Sequence, residues 1–177
     1  FIDSLIKKNK AYHKEGTVFF NIESFKEYGK LSNKNIDDLG QVQRIDPDPR
    51  KKSTLDFVLW KPAKEGEPSW ESPWGKGRPG WHIECSAMNK AIFGEQIDIH
   101  GGGIDLIFPH HENEIAQSEA LSNKPFSTFW IHHNFIRFGD DKMSKSKGNV
   151  VQTRDFVNQY HPEILKFIIL SVHYRSE

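Results

Sequence analysis

The order of predicted elements between residues 81 and 138 constrains the fold more than any other feature of the chain. Capping signals and apolar periodicity predict helices over Trp81–Phe93, closed by Gly94, and over 109–122, each followed by an apolar strand, over 96–100 and 129–138. Two strands joined by one helix pair in parallel or bracket a neighbouring strand, with a right-handed connection. This part of the sequence therefore predicts an α/β fold.

The carboxyl ends of the two strands are the expected place for a ligand, because ligands of open parallel sheets bind beyond those ends. The segment "HGGGID" follows the first strand and "GDDKMSKSKGN" follows the second. We therefore expect the two segments to lie at the same edge of the sheet.

The first 80 residues show a different pattern. Residues 1–16 predict an amphipathic helix that ends near Gly16, and short β-like runs follow at 17–21 and 55–60 among polar connections. Residues 17–60 therefore suit a small irregular insertion domain. The segment "KPAKEGEPSWESPWGKGRPG" at 61–80 is too long for a simple turn, and ordered loops of this length are often functional.

The composition excludes several classes of protein. With 177 residues and 36% hydrophobic content the chain can bury one substantial core. Its 24 basic residues balance 24 acidic ones, so no overall field attracts nucleic acid or an anionic membrane. A single cysteine excludes an internal disulfide framework and fits a reducing compartment. No run approaches ~18 apolar residues, so we predict no membrane span and a cytoplasmic location.

Three residues could hold a metal ion. Pro109 suits the first position of a helix, which places His110 and Glu114 four apart on one face while His111 and Glu112 point elsewhere. With Cys85 they would supply sulfur, nitrogen and oxygen, a set that zinc accepts, and three protein ligands leave a coordination position for a substrate. A solvated helix face and a buried filler cysteine are the alternatives at this point.

Two loops could bind a nucleotide. The glycines at 101–103 allow close approach of the backbone to a ligand, and Asp105 could accept hydrogen bonds from ribose hydroxyls, although neither the dinucleotide fingerprint nor the P-loop is matched. In "KMSKSKGN" the lysines and serines alternate, which suits a polyphosphate. A flexible turn and an ordinary solvated loop remain the alternatives.

Taken in order, "RPGWHIECSAM", "DIHGGGIDLIFPHHENEIAQSEA" and "KMSKSKGN" resemble the cysteinyl-tRNA synthetase family, and "YGKLS", "DFVLWKPAKEGEPSWESPWGKGRPG" and "VHYRS" extend the resemblance over nearly the whole chain. The resemblance implies a class I synthetase fold with a Rossmann-like parallel sheet. It implies four parts: a small α+β connective insertion domain at 1–60, a return loop at 61–80, the second half of the nucleotide-binding catalytic domain at 81–150, and the start of a helical stem-contact region at 151–177.

The activity that the resemblance implies is ligation of cysteine to tRNA. L-cysteine and ATP, with magnesium, would give cysteinyl-adenylate and pyrophosphate, and the cysteinyl group would pass to the 3′ end of the tRNA for cysteine. The implied enzyme is a monomer without membrane contact.

Residue roles follow from the resemblance position by position. The matching zinc ligands are Cys85, His110 and Glu114, and the matching residues of the cysteine pocket are Trp81 and His100, of which His100 is needed for activity. The nucleotide-binding loop matches at Gly103 and Asp105. The signature loop matches at Lys142, Met143, Ser144, Lys145 and Ser146, with Lys142 and Lys145 as catalytic cations and Lys145 on the ATP phosphate.

Two family features do not occur in the chain: the nucleotide signature His-Ile-Gly-His and the zinc-ligating cysteine that precedes it. We expect both to lie before Phe1 and the anticodon-binding region to follow Glu177, so that this chain alone is inactive.

The sequence leaves three alternative functions. One is an ATP-dependent cysteine ligase that acts on an amino sugar. Another is a non-catalytic zinc or RNA-binding module, which is disfavoured because structural zinc sites usually use four protein ligands. A zinc hydrolase is disfavoured because H-E-x-x-H does not occur.

Overall fold

A computed structural model describes residues 1–35, 48–135, 137–138, 141–143, 148 and 150–176. Its amino-terminal part is helix α1 (Ile2–Lys7) and a four-stranded antiparallel sheet in the order β1 (Ala11–Lys14), β2 (Thr17–Phe20), β3 (Phe57–Pro62) and β4 (Gly77–Pro79). Strand β4 and the last two residues of β3 thus belong to the long 61–80 segment.

The predicted helix over 1–16 is wrong beyond its first turns. Helix α1 ends at Lys7, and β1 and β2 form a hairpin in which Lys14 pairs with Thr17. The two residues of the turn, Glu15 and Gly16, have φ of 49° and 74°. Such a two-residue turn with two positive φ values matches the twist of paired strands, and the amphipathic pattern did not reveal it.

The second sheet confirms the predicted α/β arrangement. Strand β5 (Ile97–Gly103) pairs in parallel with β6 (Ser127–His133), with His100 opposite Trp130 and Gly103 opposite His133. The glycines at 101–103 belong to β5, so the interpretation of these residues as a loop is wrong. They continue the hydrogen-bonded pairing of the two strands, because β6 supplies pairing residues as far as His133.

The helices between and before these strands differ in how well they were predicted. Helix α2 (Trp81–Phe93) has the predicted bounds, and Gly94 follows it with φ of 90°. Helix α3 (Glu112–Ser122) begins later than predicted, because the chain has a kink within Ile107–His111, where Phe108 is extended.

The predicted strand over 129–138 is interrupted. Strand β6 ends at His133, and β7 (Arg137–Phe138) pairs antiparallel with β8 (Asp141–Lys142). Helices α4 (Thr153–Gln159) and α5 (Pro162–Leu170) follow. Among the helices described, none is long and apolar enough to cross a membrane. Ser144, Lys145 and Ser146 lie outside the described residues, so the shared sheet edge expected for their segment stays a prediction.

One hydrophobic core joins the two halves of the chain. Leu5 of α1 and Val18 of β2 are fully buried, and they belong to the same cluster as Ile83 of α2 and Ala116 of α3. The small side chain of Ala116 leaves room for α1 and α2 to pack on α3. The amino-terminal sheet therefore supports the two helices that carry the candidate metal ligands.

Candidate metal centre

The candidate ligands come from two parts of the chain: helix α2, and the segment that contains the start of helix α3. Cys85 lies in α2, His110 immediately before α3, and Glu114 in the first turn of α3. Their ligand atoms all lie within 4.8 Å of one another. The structure thus brings together three residues that the sequence separates by up to 29 positions.

Gly80 sets the position of α2. Its N–H donates to the carbonyl of Leu59 at 2.9 Å, and a Cβ at Gly80 would lie 2.1 Å from the carbonyl oxygen of Val58. Only glycine allows the chain to pass so close to β3, because that distance is far inside van der Waals contact. The helix that carries Cys85 therefore starts against the sheet.

Glu114 is a fully buried carboxylate. His110 Nε2 and His100 Nε2 lie 3.0 and 3.4 Å from its Oε1, yet within the described structure neither oxygen has a hydrogen-bond partner of suitable geometry. Burial raises the pKa of Glu114, but the two imidazoles outweigh this effect and lower it. A buried carboxylate that lacks aligned donors is costly unless a cation compensates it, so the donor set fits a metal ion.

Cys85 is partly buried, and burial, with Glu114 and Glu84 nearby, raises the pKa of its thiol. A metal ion reverses this preference because it binds the thiolate. Sulfur, imidazole nitrogen and carboxylate oxygen together suit zinc.

Sequence reasoning missed part of the histidine cluster around Glu114. His111 was expected to point away from His110 and Glu114, but ligand atoms of His100, His111 and Glu114 also lie within 4.8 Å of one another. The prediction is wrong because residues three apart, such as His111 and Glu114, are also neighbours on a helix. The prediction that Glu112 points away from His110 and Glu114 is correct, because its carboxylate contacts residues 29–32.

Two further histidines contact this cluster. His111 Nδ1 lies 2.8 Å from His132 Nε2, and burial lowers the pKa of His111 to about 4. His82 Nδ1 lies 2.9 Å from His110 Nδ1, and burial, followed by the nearby His110, lowers the pKa of His82 to about 4. No spacing in the sequence indicated these contacts, because the residues come from separate elements.

The predicted cysteine-pocket residues border the same centre. The ring of Trp81 stacks on His110 with centroids 4.4 Å apart and is 57% exposed, so its other face is open to a ligand. His100 packs against Trp130 with centroids 4.8 Å apart. An aromatic wall and an imidazole therefore stand beside the candidate metal ligands.

The predicted nucleotide residues lie at the carboxyl end of β5. Asp105 is exposed in the turn after the strand, and a Cβ on Gly103 would lie 2.6 Å from its Oδ1. Lys142 belongs to β8, and Met143 is partly buried. The remaining signature-loop residues, Ser144, Lys145 and Ser146, are outside the described part of the chain.

Comparisons with known proteins found a matching family and several similar proteins. The family described as tRNA synthetases class I (C) catalytic domain matches residues 1–177. The chain is 59% identical over 175 residues to the cysteine–tRNA ligase of Bdellovibrio bacteriovorus, 58% over 175 residues to that of Bacillus velezensis, and 59% over 176 residues to that of Halalkalibacterium halodurans. Each alignment covers 99% of this chain but only 36–38% of the relative, so the chain spans little more than a third of their length.

Proposed function

Because this chain belongs to the family of class I (C) tRNA synthetase catalytic domains, we propose that the protein joins L-cysteine to its tRNA. ATP, with magnesium, and cysteine form cysteinyl-adenylate and pyrophosphate, and the cysteinyl group then passes to the 3′ end of the tRNA. The observation that supports this most directly is Glu114, a buried carboxylate without an aligned donor in the described structure and beside a thiol and an imidazole.

We propose that Cys85, His110 and Glu114 hold zinc. Serine differs from cysteine by one atom, and an apolar pocket separates such pairs by roughly 10²-fold, short of the ~10⁴ that translation requires. When bound, zinc would supply a cation that favours the thiolate of cysteine over the hydroxyl of serine. The metal therefore supplies the selectivity that the pocket walls cannot.

The remaining roles concern orientation and charge. Trp81 and His100 border the amino acid, Gly103 and Asp105 contact the nucleotide, and the ammonium groups of Lys142 and Lys145 compensate the charge that develops on pyrophosphate. Catalysis is then positioning plus charge stabilisation without a covalent intermediate on the protein.

The proposal extends to the molecule as a whole. We assign residues 1–60 to the connective insertion, 61–80 to the return loop, 81–150 to the catalytic domain and 151–177 to the stem-contact region. The protein acts as a cytoplasmic monomer. Its macromolecular partner is the tRNA for cysteine.

Pyrophosphate exchange on the full-length protein tests the proposal. We expect exchange with cysteine and ATP, little with serine, and loss of exchange in Glu114→Gln. Transfer of the activated cysteine to tRNA should follow. Absence of cysteine-dependent exchange would refute the proposal, and transfer to an amino sugar in place of tRNA would assign the paralogous ligase activity.

A further inference from the structure

We propose that His82 is a positioning residue for His110: it accepts the N–H on the side of the His110 ring that faces away from Glu114, and so holds the other ring nitrogen toward the metal centre. The inference rests on the proposed metal site and adds a residue that does not itself ligate.

The two nitrogens of His110 face different partners. Its Nε2 lies 3.0 Å from Glu114 Oε1, and its Nδ1 lies 2.9 Å from His82 Nδ1. A neutral imidazole carries one proton, so a ring that ligates through Nε2 carries its proton on Nδ1. That N–H is directed at His82, whose Nδ1 is the acceptor.

An acceptor on the remote nitrogen has a defined effect. It fixes the tautomer and the orientation of a ligating histidine and makes the ligating nitrogen more basic. His110 is 5% exposed, so water is a poor substitute as the acceptor. Without His82, the proton on Nδ1 would be buried without a partner.

The His82 ring is itself held in place. It packs edge-on against Phe57 of β3 with centroids 5.7 Å apart and an interplanar angle of 87°. His82 also precedes Cys85 by three residues in α2, so the two side chains share one side of the helix. One helix therefore provides both a candidate ligand and the group that orients a second ligand.

A pair of substitutions separates positioning from simple packing. In His82→Asn the side-chain amide oxygen can take the place of Nδ1 and accept the same N–H, whereas His82→Leu fills the space without an acceptor. His13→Leu, which removes an exposed histidine of β1, is the control. Circular dichroism and the unfolding midpoint establish that each variant of the full-length protein is folded.

The readouts are zinc release to a chromogenic chelator and the visible absorption of the cobalt-substituted protein. We expect the leucine variant to hold zinc roughly 10- to 100-fold more weakly and to show an altered cobalt spectrum. The asparagine and His13 variants should stay close to the parent protein.

Each other outcome has a distinct meaning. Equal zinc affinity in the leucine variant, or an equal loss in both His82 variants, would overturn this inference and leave the proposed metal site intact. Absence of zinc from the folded parent protein would overturn the proposed metal site and this inference together.

Discussion

At the scale of single residues, Glu114 has the environment that most requires a cation. Without metal, the two imidazoles beside Glu114 already lower the pKa of its carboxyl group, so we expect Glu114→Gln to be no more stable than the parent. With zinc at 100 times the dissociation constant, the parent should gain about 2.7 kcal/mol and the variant much less. Urea unfolding with and without zinc measures both values, and an equal gain in the two proteins would contradict the assignment of Glu114.

Gly80 determines where α2 begins. Because a Cβ would lie 2.1 Å from the Val58 carbonyl oxygen, Gly80→Ala must displace either β3 or the start of α2. We expect a loss of about 1–3 kcal/mol in the free energy of unfolding, together with weaker metal binding. Gly66→Asn is the control, since nothing lies within 4 Å of that position and asparagine tolerates its φ of 80°. Equal effects of the two substitutions would exclude the steric explanation.

Glu67 gives a pH dependence to the 61–80 segment. Its ion pair with Arg78, at 2.8 Å, and the N–H of Lys64 lower its pKa from 4.5 to about 2. Because the folded-state pKa is depressed, the contribution of Glu67 to stability is present above pH 4.5 and is lost as the pH falls toward 2. The difference in unfolding free energy between the parent and Glu67→Gln should therefore shrink over that range. A difference that is constant between pH 7 and pH 2 would contradict the ion pair.

At the scale of elements, the sequence predicts correctly the bounds of a helix whose two ends are marked by glycines. Helix α2 has glycine on both sides and was predicted with correct bounds. The hairpin of β1 and β2 was missed, since its turn depends on a positive φ at Glu15, a residue that rarely adopts one. The predicted start of α3 differs from the observed one because the chain has a kink at the extended Phe108. Local propensity does not reveal such a departure.

The first turn of α3 is fixed by a loop from the other half of the chain. The Glu112 carboxylate accepts the N–H groups of Gly29 and Ser32, both at 2.9 Å, and the Ser32 hydroxyl at 2.8 Å. The Tyr28 hydroxyl donates to Asn113 Oδ1 at 2.5 Å. These bonds orient the helix turn that carries Glu114. The "YGKLS" segment therefore has a structural explanation that the sequence alone did not provide.

Removal of that carboxylate should affect both stability and the metal centre. In Glu112→Ala the buried donors lose their acceptor, so we expect a loss of about 3 kcal/mol in unfolding free energy and faster zinc release. Ser32→Ala removes only the hydroxyl that donates to Glu112 and should cost about 1 kcal/mol in the free energy of unfolding. Glu27→Gln, which breaks an exposed ion pair with Lys30, is the control. If Glu112→Ala behaved like the control, the contact would not support the helix.

At the scale of the whole molecule, the site depends on residues that only the fold brings together. His82, His100, His111 and His132 surround the pair formed by His110 and Glu114. They meet because β5 and β6 pair in parallel while α2 and α3 pack on the same core, and periodicity within one element cannot indicate this. The motif resemblance identified His100 as functional but gave no role to the other three.

The shared core makes cooperative unfolding of the chain the expected behaviour. Leu5 of α1 is fully buried in the cluster that contains Ile83 of α2 and Ala116 of α3. Leu5→Ala should therefore cost about 2–5 kcal/mol. The unfolding transition followed by tryptophan fluorescence should shift to lower urea together with the transition followed by far-ultraviolet circular dichroism. Ile92→Ala, at a position 71% exposed, should change stability by no more than about 0.5 kcal/mol. Two separate transitions, with only the amino-terminal one moved by Leu5→Ala, would show that residues 1–60 fold independently of the helices that hold the metal ligands.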